Sequence, residues 1–264
     1  MCGIGLVNKD DEHAPQIIKA ANCELYTYSE ESKEADFVAS DIRYVSQPDF
    51  VGTEFHISGK YDMEVRLGIP GLFNVVNALA AVSVCSFLGL DQARISHALE
   101  NIRVNGRMEI VYTSERCTVL VDYAHNAVSM ESLLSTLRDY KPKRLVCVFG
   151  CGGNRSKDRR YSMGEIGGKM ADLSIITADN SRYEKVEDII ADIRGSIEKT
   201  GGKFIEIPDR REAIRYSILH AQPGDMVAVI GKGHEDYQEI NGVRHHFLDR
   251  EVIEETVKEL GEKA

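Results

Sequence analysis

Three polar clusters carry the side chains of this sequence that are best suited to chemistry. They occupy residues 149–155 (FGCGGNR), 179–182 (DNSR) and 231–235 (GKGHE), and each begins where a short apolar run ends. Such runs predict buried parallel strands, and the carboxyl ends of parallel strands converge on one crevice where ligands bind. The clusters hold two arginines and two acids. A site with fixed cations and anions suits a zwitterionic amino acid better than a sugar or a hydrophobic ligand.

The elements that must position these clusters follow a regular order from about residue 104. Predicted strands alternate strictly with predicted helices, which is typical of a doubly wound, Rossmann-like α/β sheet. The strands are expected at residues 118–121, 145–149, 173–177, 204–207 and 226–230, and the helices at residues 129–140, 162–171, 186–199, 209–220 and 249–260.

The first hundred residues have a different organisation. A strand at residues 4–7 and a helix at residues 14–21 come first, and a boundary is expected between residues 104 and 107. A nearly all-apolar helix at residues 72–88 is expected to be buried on most sides, and a further helix at residues 90–101. Segments with a period of two, which predict a small antiparallel sheet, lie at residues 24–29, 37–45, 54–58 and 62–69. Because the chain opens directly on a strand, we expect further sequence upstream.

Composition and charge argue against several classes of partner. The 264 residues carry a formal net charge of −10, which works against nucleic acid and anionic membranes, since both require a positive surface. No apolar run reaches the roughly 18 residues that a membrane span needs, and no leader pattern follows Met1. The scattered cysteines favour reduced thiols over a disulfide framework; they are Cys2, Cys23, Cys85, Cys117, Cys147 and Cys151. We therefore expect a soluble cytoplasmic protein.

Two common phosphate-binding loops and a zinc site are disfavoured by spacing. The dinucleotide fingerprint G-x-G-x-x-G would need glycine at position 155, where Arg155 stands, so a nicotinamide or flavin site is not favoured. No G-x-x-x-x-G-K-[ST] motif occurs, so a nucleotide would need its main phosphate cradle outside this chain. Cys147 lies within a predicted strand and no C-x-x-C occurs, which disfavours zinc.

A further predicted strand end carries an acid and an imidazole. Asp122 and His125 follow the strand at residues 118–121, so both fall within reach of the same crevice. A carboxylate suits a ribose diol, because the diol offers two hydroxyl donors to one acceptor group. A lone histidine is more often structural, but the neighbouring acid and the position leave both interpretations of His125 open.

Six segments together resemble the Mur ligases of peptidoglycan synthesis, and most of all the MurE type. They cover essentially the whole chain in the family's order: GLFNVVNALAA at 71–81, GRME at 106–109, DYAH at 122–125, FGCGGNR at 149–155, DNSR at 179–182 and GKGHE at 231–235. The sequence departs from the family at residues 126–128, where Thr-Pro-Asp or similar is usual. It departs again at Ser181, where the diaminopimelate signature has proline. Proline would fix φ, so serine predicts a looser turn.

The resemblance implies a three-domain ligase of which this chain is the C-terminal portion. Residues 1–104 would be the last part of the central, P-loop-type ATPase domain, and residues 105–264 the Rossmann-like domain that brings the amino acid. The UDP-substrate domain, the P-loop and the carbamylated lysine that helps to hold magnesium would lie upstream. The chain alone is therefore expected to be inactive.

The resemblance also implies which residues bind each substrate. Asn8 would contact the adenine of ATP, Arg107 the phosphates and Asp122 the ribose, with His125 beside them. The incoming amino acid would be bound by Arg155, Asp179, Asn180, Ser181, Arg182, Gly231 and Glu235. A guanidinium clamps a carboxylate with two parallel hydrogen bonds, and an acid such as Glu235 suits an ammonium group. No metal ligand is assigned within the chain.

The implied reaction is amide formation driven by ATP with Mg²⁺. It adds meso-diaminopimelate to UDP-N-acetylmuramoyl-L-alanyl-D-glutamate, and Arg182 is placed to receive the second carboxylate of diaminopimelate. Three alternatives stay open: the lysine-adding ligase of the same family, a non-catalytic remnant that only binds ligands, and a nicotinamide-dependent dehydrogenase.

Overall fold

The structure, a computed structural model, describes residues 3–261, so Cys2 lies outside the described residues. Contacts between residues divide the chain into two units. The first unit takes the residues up to Ser46 and Phe50–Arg103, and the second takes Gln47–Asp49 and the residues from Val104 onward.

The first unit is built on a mixed five-stranded sheet. Its strands lie in chain order: β1 (Ile4–Asn8), β2 (Glu24–Ser29), β3 (Phe37–Gln47), β4 (Phe50–Gly59) and β5 (Met63–Leu67). β1 and β2 pair in parallel, as do β2 and β3, whereas β4 and β5 pair antiparallel. The prediction of an antiparallel sheet is therefore wrong for β2. Helix α1 (Ala14–Ala20) connects β1 to β2, and a β-α-β connection joins parallel strands.

Helix α2 (Leu72–Phe87) is buried along one face only. Its buried residues are Val75, Ala78, Leu79, Val82 and Ser83, which recur with the spacing of one helical stripe. The stripe joins a core that includes residues of the sheet. Phe73 is 50% exposed and Val84 48% exposed. The prediction that this apolar helix is buried on most sides is therefore wrong within this unit. Helix α3 (Gln92–Asn101) follows, and its N-cap Asp91 accepts a hydrogen bond from the Arg94 amide.

The second unit contains the predicted doubly wound sheet. Its strands are β6 (Glu109–Thr113), β7 (Cys117–Asp122), β8 (Arg144–Phe149), β9 (Leu173–Ile176), β10 (Phe204–Glu206) and β11 (Asp225–Ile230). They lie in the order β10-β9-β8-β11-β7-β6, and all pair in parallel except β6 with β7. The helices are α4 (Ala127–Asp139), α5 (Asp158–Met170), α6 (Val186–Thr200), α7 (Arg210–Leu219) and α8 (Asp249–Glu259). The predicted α/β class is confirmed.

The strict alternation of strand and helix is wrong at two places. β6 adds an antiparallel edge strand, and a hairpin of β12 (Tyr237–Ile240) and β13 (Val243–His246) precedes α8. The hairpin turns at Asn241 and Gly242, whose φ angles are 50° and 77°. Two central residues with positive φ are typical of a type I′ turn, for which Asn-Gly is the strongest sequence signal. That signal was present in the sequence.

Helix α4 begins two residues before its predicted start. Asn126 is its N-cap: the side chain accepts a hydrogen bond of 2.9 Å from the Ser129 amide, and Ser129 completes a capping box. Capping satisfies backbone amides that have no partner within the helix. Residues 126–128, which depart from the family pattern, therefore provide a helix start of their own.

Three of the cysteines have thiols that resist ionisation. Cys117, Cys147 and Cys151 are buried and free. Burial raises the pKa of Cys117 to about 11 and that of Cys151 to about 12. It also raises the pKa of Cys147. Only the thiolate reacts with alkylating reagents.

We therefore expect iodoacetamide at pH 8 to label the half-buried Cys23 and Cys85 before Cys117, Cys147 and Cys151. A thiol with a pKa near 11 is only about one part in a thousand thiolate at that pH. Mass spectrometry of the folded chain over time gives the order of labelling. Labelling of Cys147 as fast as that of Cys23 would contradict this expectation, and unfolding in urea should remove the difference.

Candidate functional site

A polar pocket of about 380 Å³ lies in the second unit at the carboxyl ends of β7, β8, β9 and β11. Most of its lining residues are polar or charged, and most come from the loops that follow these strands; Arg159 lies on α5 and Tyr237 begins β12. The lining residues are Tyr123, His125, Gly150, Cys151, Gly152, Arg155, Arg159, Asp179, Asn180, Arg182, Gly231, Glu235 and Tyr237. The structure thus brings together six of the seven residues that were predicted to bind an amino acid. The seventh, Ser181, is buried and does not line the pocket.

A buried ion pair holds two of the strand ends in place. The Arg210 and Asp249 side chains are fully buried and share two hydrogen bonds of 2.7 Å. The same guanidinium donates to the carbonyl oxygens of Ala178 (3.2 Å) and Ile230 (3.0 Å). One arginine therefore links the ends of β9 and β11 to the first turn of α8. This pair was not predicted, because 39 residues separate its members and no local sequence pattern marks them.

Arg182 is fixed against the hairpin at the edge of the pocket. Its backbone has φ of 51°, its amide donates to the Glu239 carbonyl oxygen (2.9 Å), and its own carbonyl accepts from Asn241 (2.6 Å). Its side chain donates from Nη1 to the Gly153 carbonyl oxygen (2.8 Å), and Nε lies 3.6 Å from a Glu239 carboxylate oxygen. Bonds to the hairpin thus hold this turn, although Ser181 stands where the family has proline.

Gly231 allows a close approach between two loops. Its φ is 110°, and a Cβ atom there would lie only 2.9 Å from a carboxylate oxygen of Asp179. A residue with a side chain would meet both backbone strain and this contact. The glycine therefore lets the Asp179 carboxylate face the pocket. Arg155 also lines the pocket and is exposed.

Glu235, Asn180 and Lys232 form a hydrogen-bonded cluster in the pocket wall. Asn180 Nδ2 donates to Glu235 Oε2 at 3.0 Å, and Lys232 Nζ lies 3.3 Å from the same oxygen. The Tyr123 hydroxyl donates to Glu235 Oε1 at 3.3 Å. Lys232 lies within the 231–235 cluster, but no role was predicted for it. A lysine between two glycines gives no sequence signal that it is fully buried.

The residues predicted to bind nucleotide are divided between the two units. His125 lines the pocket, and the Arg107 guanidinium lies 4.8 Å from the ring centroid of Tyr123, which also lines it. Asp122 is buried, and its carboxylate accepts hydrogen bonds from the backbone amides of residues 108 (2.8 Å) and 124 (2.7 Å). Burial raises the pKa of Asp122, although these hydrogen bonds oppose the shift. Asn8 lies in the first unit, where its side chain accepts from the residue 10 amide (3.0 Å).

Residues 3–261 contain neither a cluster suited to a metal ion nor a helix suited to span a membrane. No group of three or more His, Cys, Asp or Glu side chains among them is arranged to hold a metal ion. None of the helices formed by these residues is both long enough and apolar enough to cross a membrane.

Family models match both parts of the chain. The model described as "Mur ligase, glutamate ligase domain" matches residues 106–233, and the model described as "Mur ligase middle domain" matches residues 1–85. The two matches together cover most of the sequence.

Curated relatives match nearly the whole chain. UDP-N-acetylmuramoyl-L-alanyl-D-glutamate–2,6-diaminopimelate ligase 2 of Clostridium acetobutylicum is 40% identical over 256 residues, which are 97% of this chain and 52% of the relative. The corresponding ligase of Trichormus variabilis is 41% identical over 253 residues, which are 94% of this chain and 50% of the relative. The chain thus spans about half the length of the curated relatives it matches.

Solved structures share the fold. A UDP-N-acetylmuramoyl-L-alanyl-D-glutamate–2,6-diaminopimelate ligase aligns with a TM-score of 0.78 and 34% identity, covering 98% of this chain and 54% of that chain. A folylpolyglutamate synthase from Thermotoga maritima aligns with a TM-score of 0.64 and 20% identity, covering 86% of this chain and 50% of that chain. The second alignment shows a common fold alone.

Proposed function

Because the chain belongs to the Mur ligase family, we propose that it is the amino-acid-binding portion of an ATP-dependent peptide ligase that uses meso-diaminopimelate. The carboxylate substrate would be UDP-N-acetylmuramoyl-L-alanyl-D-glutamate, which the names of the relatives contain. In this proposal residues 1–104 belong to the central ATPase domain and residues 105–264 form the C-terminal domain. The observation that carries the proposal is the pocket in which Arg182, Asn180 and Glu235 lie together.

The charges of the pocket support a ligand with two carboxylates. Its lining contains three arginines, Arg155, Arg159 and Arg182, and two acids, Asp179 and Glu235. Diaminopimelate carries two ammonium groups and two carboxylates, whereas lysine has two ammonium groups and one carboxylate. The lining has one more cation than it has anions. It therefore suits diaminopimelate, whose charges balance, better than lysine, which carries a net positive charge, because unpaired buried charge is costly.

Each end of the ligand would have its own partners. We assign the far carboxylate to Arg182, since a guanidinium offers a planar fork to carboxylate. Glu235 would hold an ammonium group, with Asn180 beside it. Arg155 would receive the other carboxylate. Gly231 and Asp179 would form the wall between them.

The contribution of this chain to amide formation would be alignment. A free carboxylate is a poor acyl donor because it has no good leaving group, so ATP converts the carboxylate of the UDP-linked dipeptide into an acyl phosphate and ADP leaves. The neutral amine of the amino acid then attacks the acyl carbon, phosphate leaves, and the nitrogen loses a proton. Residues that hold the amine in line with the activated carbon remove part of the entropic barrier, and alignment of this kind is worth several kcal/mol.

The nucleotide contacts are part of the same proposal. Arg107 is exposed, and its guanidinium suits a phosphate. Each Asp122 oxygen already accepts one hydrogen bond and keeps capacity for a ribose hydroxyl. His125 would lie beside the ribose, and Asn8 would meet the adenine. The residues that the structure describes offer no acidic cluster for Mg²⁺, so no step is assigned to the metal here. A cytoplasmic location is also proposed, because ATP is a cytoplasmic substrate.

A chimeric ligase tests the proposal. This chain would replace the matching half of the Clostridium acetobutylicum relative, of which it covers 52%. We expect ADP release that depends on both the UDP-linked dipeptide and meso-diaminopimelate, with L-lysine much less effective. The intact relative is the control. Preference for lysine would support the lysine-adding alternative, and amino-acid binding without turnover would support a remnant.

A further inference from the structure

Lys232 is a fully buried cation whose three hydrogens all have acceptors. Its side chain is 0% exposed. Its Nζ atom lies 3.4 Å from Asn180 Oδ1 and 3.3 Å from Glu235 Oε2, and it also donates to the carbonyl oxygen of Tyr237. An ammonium group has three donors and no acceptor. Burying such a charge is costly unless it is paired and hydrogen-bonded, and here both conditions are met.

The contacts of Lys232 fix the orientation of the Asn180 amide. The Asn180 Oδ1 atom receives the ammonium and also the backbone amide of Glu239 at 2.9 Å. With its oxygen held on that side, the amide must direct Nδ2 the other way, where it donates to Glu235 Oε2 at 3.0 Å. A rotated amide would set Nδ2 against two donors.

The same contacts fix the Glu235 carboxylate. Its Oε2 atom accepts from both Asn180 and Lys232, whereas Oε1 accepts from Tyr123 alone among the hydrogen bonds found for it. The Glu235 side chain is 23% exposed. One oxygen is thus committed to the protein interior, and the other keeps acceptor capacity beside the pocket.

We propose that Lys232 is a positioning residue that holds Glu235 and Asn180 in the geometry that receives the ligand's ammonium group. It links three segments: the loop after β9, the loop after β11 and the start of β12. It reaches the ligand only through Glu235 and Asn180. This inference rests on the proposed function, because it concerns how that pocket binds an amino acid.

The experiment measures the binding of meso-diaminopimelate to the 264-residue chain by calorimetry. Lys232→Met keeps the length of the side chain and removes its charge, and we expect the dissociation constant to rise at least tenfold. Lys169→Met is the matched control, because Lys169 is exposed and pairs with Glu165 on the surface of α5; the dissociation constant of this variant should stay within twofold of wild type. Thermal unfolding of each variant is measured in parallel.

A double-mutant cycle with Glu235→Gln separates positioning from a general loss of structure. If Lys232 acts through Glu235, Lys232→Met should weaken binding by less than threefold in the Glu235→Gln background. An unchanged tenfold effect there would overturn the inference. If the wild-type chain binds meso-diaminopimelate and Lys232→Met binds it equally well, the inference is overturned too. The proposed function would then still stand. No wild-type binding of any amino acid would overturn the proposed function itself.

A measurement on the wild-type chain covers the case in which Lys232→Met does not fold. The nitrogen of the Lys232 side chain can be followed by NMR through its bonded ε-carbon in the isotopically labelled chain. We expect the Lys232 resonance to shift on saturation with meso-diaminopimelate, because the ligand's ammonium engages the carboxylate it shares. A resonance that stays unchanged at saturation would overturn the inference.

Discussion

Replacing Asp249 with alanine is expected to lower the free energy of unfolding of the second unit by about 3–5 kcal/mol, the usual cost of removing one partner from a buried ion pair. Arg210 and Asp249 have fully buried side chains. Without the carboxylate, the buried Arg210 charge would keep its hydrogen bonds to the carbonyl oxygens of Ala178 and Ile230 but would lose the anion that it pairs with. Urea denaturation followed by circular dichroism measures the loss.

The matched control is Glu255→Ala. Glu255 pairs with Arg211, so this pair also joins α7 to α8. The Arg211 side chain is 47% exposed and the Glu255 side chain is 55% exposed. Surface pairs contribute about 0–1 kcal/mol. Equal losses for Asp249→Ala and Glu255→Ala would show that the buried pair has no special role in holding the two helices.

Replacing Arg182 with alanine should remove most of the discrimination between meso-diaminopimelate and L-lysine. The two ligands differ by one carboxylate, and Arg182 is the pocket cation we assign to it. Contacts with Gly153 and Glu239 already hold the Arg182 guanidinium in place, so ligand binding does not have to order this side chain. Losing one partner of a desolvated pair costs a few kcal/mol, which corresponds to about two or more powers of ten in selectivity.

Selectivity in the chimeric ligase, as the ratio of kcat/KM for the two amino acids, measures this effect. Arg194→Ala is the control, because Arg194 lies on α6 and pairs with Glu198 and Glu206 at the surface. The assignment is wrong if wild type prefers lysine, or if Arg182→Ala keeps the full preference for diaminopimelate.

Strong local patterns predicted the frame of the second unit. β7, β8 and β11 are short apolar runs, and each is buried along almost its whole length. Because the carboxyl ends of parallel strands meet at one edge of the sheet, the sequence alone predicted that the polar residues following these strands lie together. The comparison with the family then supplied roles that the patterns alone do not give.

Features that depend on distant partners could not be predicted. Lys232 looks like an exposed loop residue, and its burial depends on Asn180, 52 positions away. The Arg210–Asp249 pair spans 39 positions, and neither residue lies in a motif. The exposed face of α2 is as apolar as its buried face, so periodicity could not show which side packs.

The parallel pairing of β1 with β2 and the hairpin of β12 and β13 both have signals in the sequence, although neither feature was predicted. The strand, helix and strand at residues 4–29 form a β-α-β connection, which calls for parallel pairing. Asn241-Gly242 is a hairpin turn, but β13 consists of exposed residues. An exposed strand lacks the apolar alternation that marks a half-buried one.

A titration of the isotopically labelled 264-residue chain with meso-diaminopimelate, followed by NMR, tests most directly whether this pocket binds that amino acid. We predict saturable 1:1 binding with shifts concentrated at the backbone amides of residues 149–155, 179–182 and 231–237, and weaker binding of L-lysine. A chain that responds to neither amino acid, or that responds more strongly to lysine at the same amides, would contradict the account.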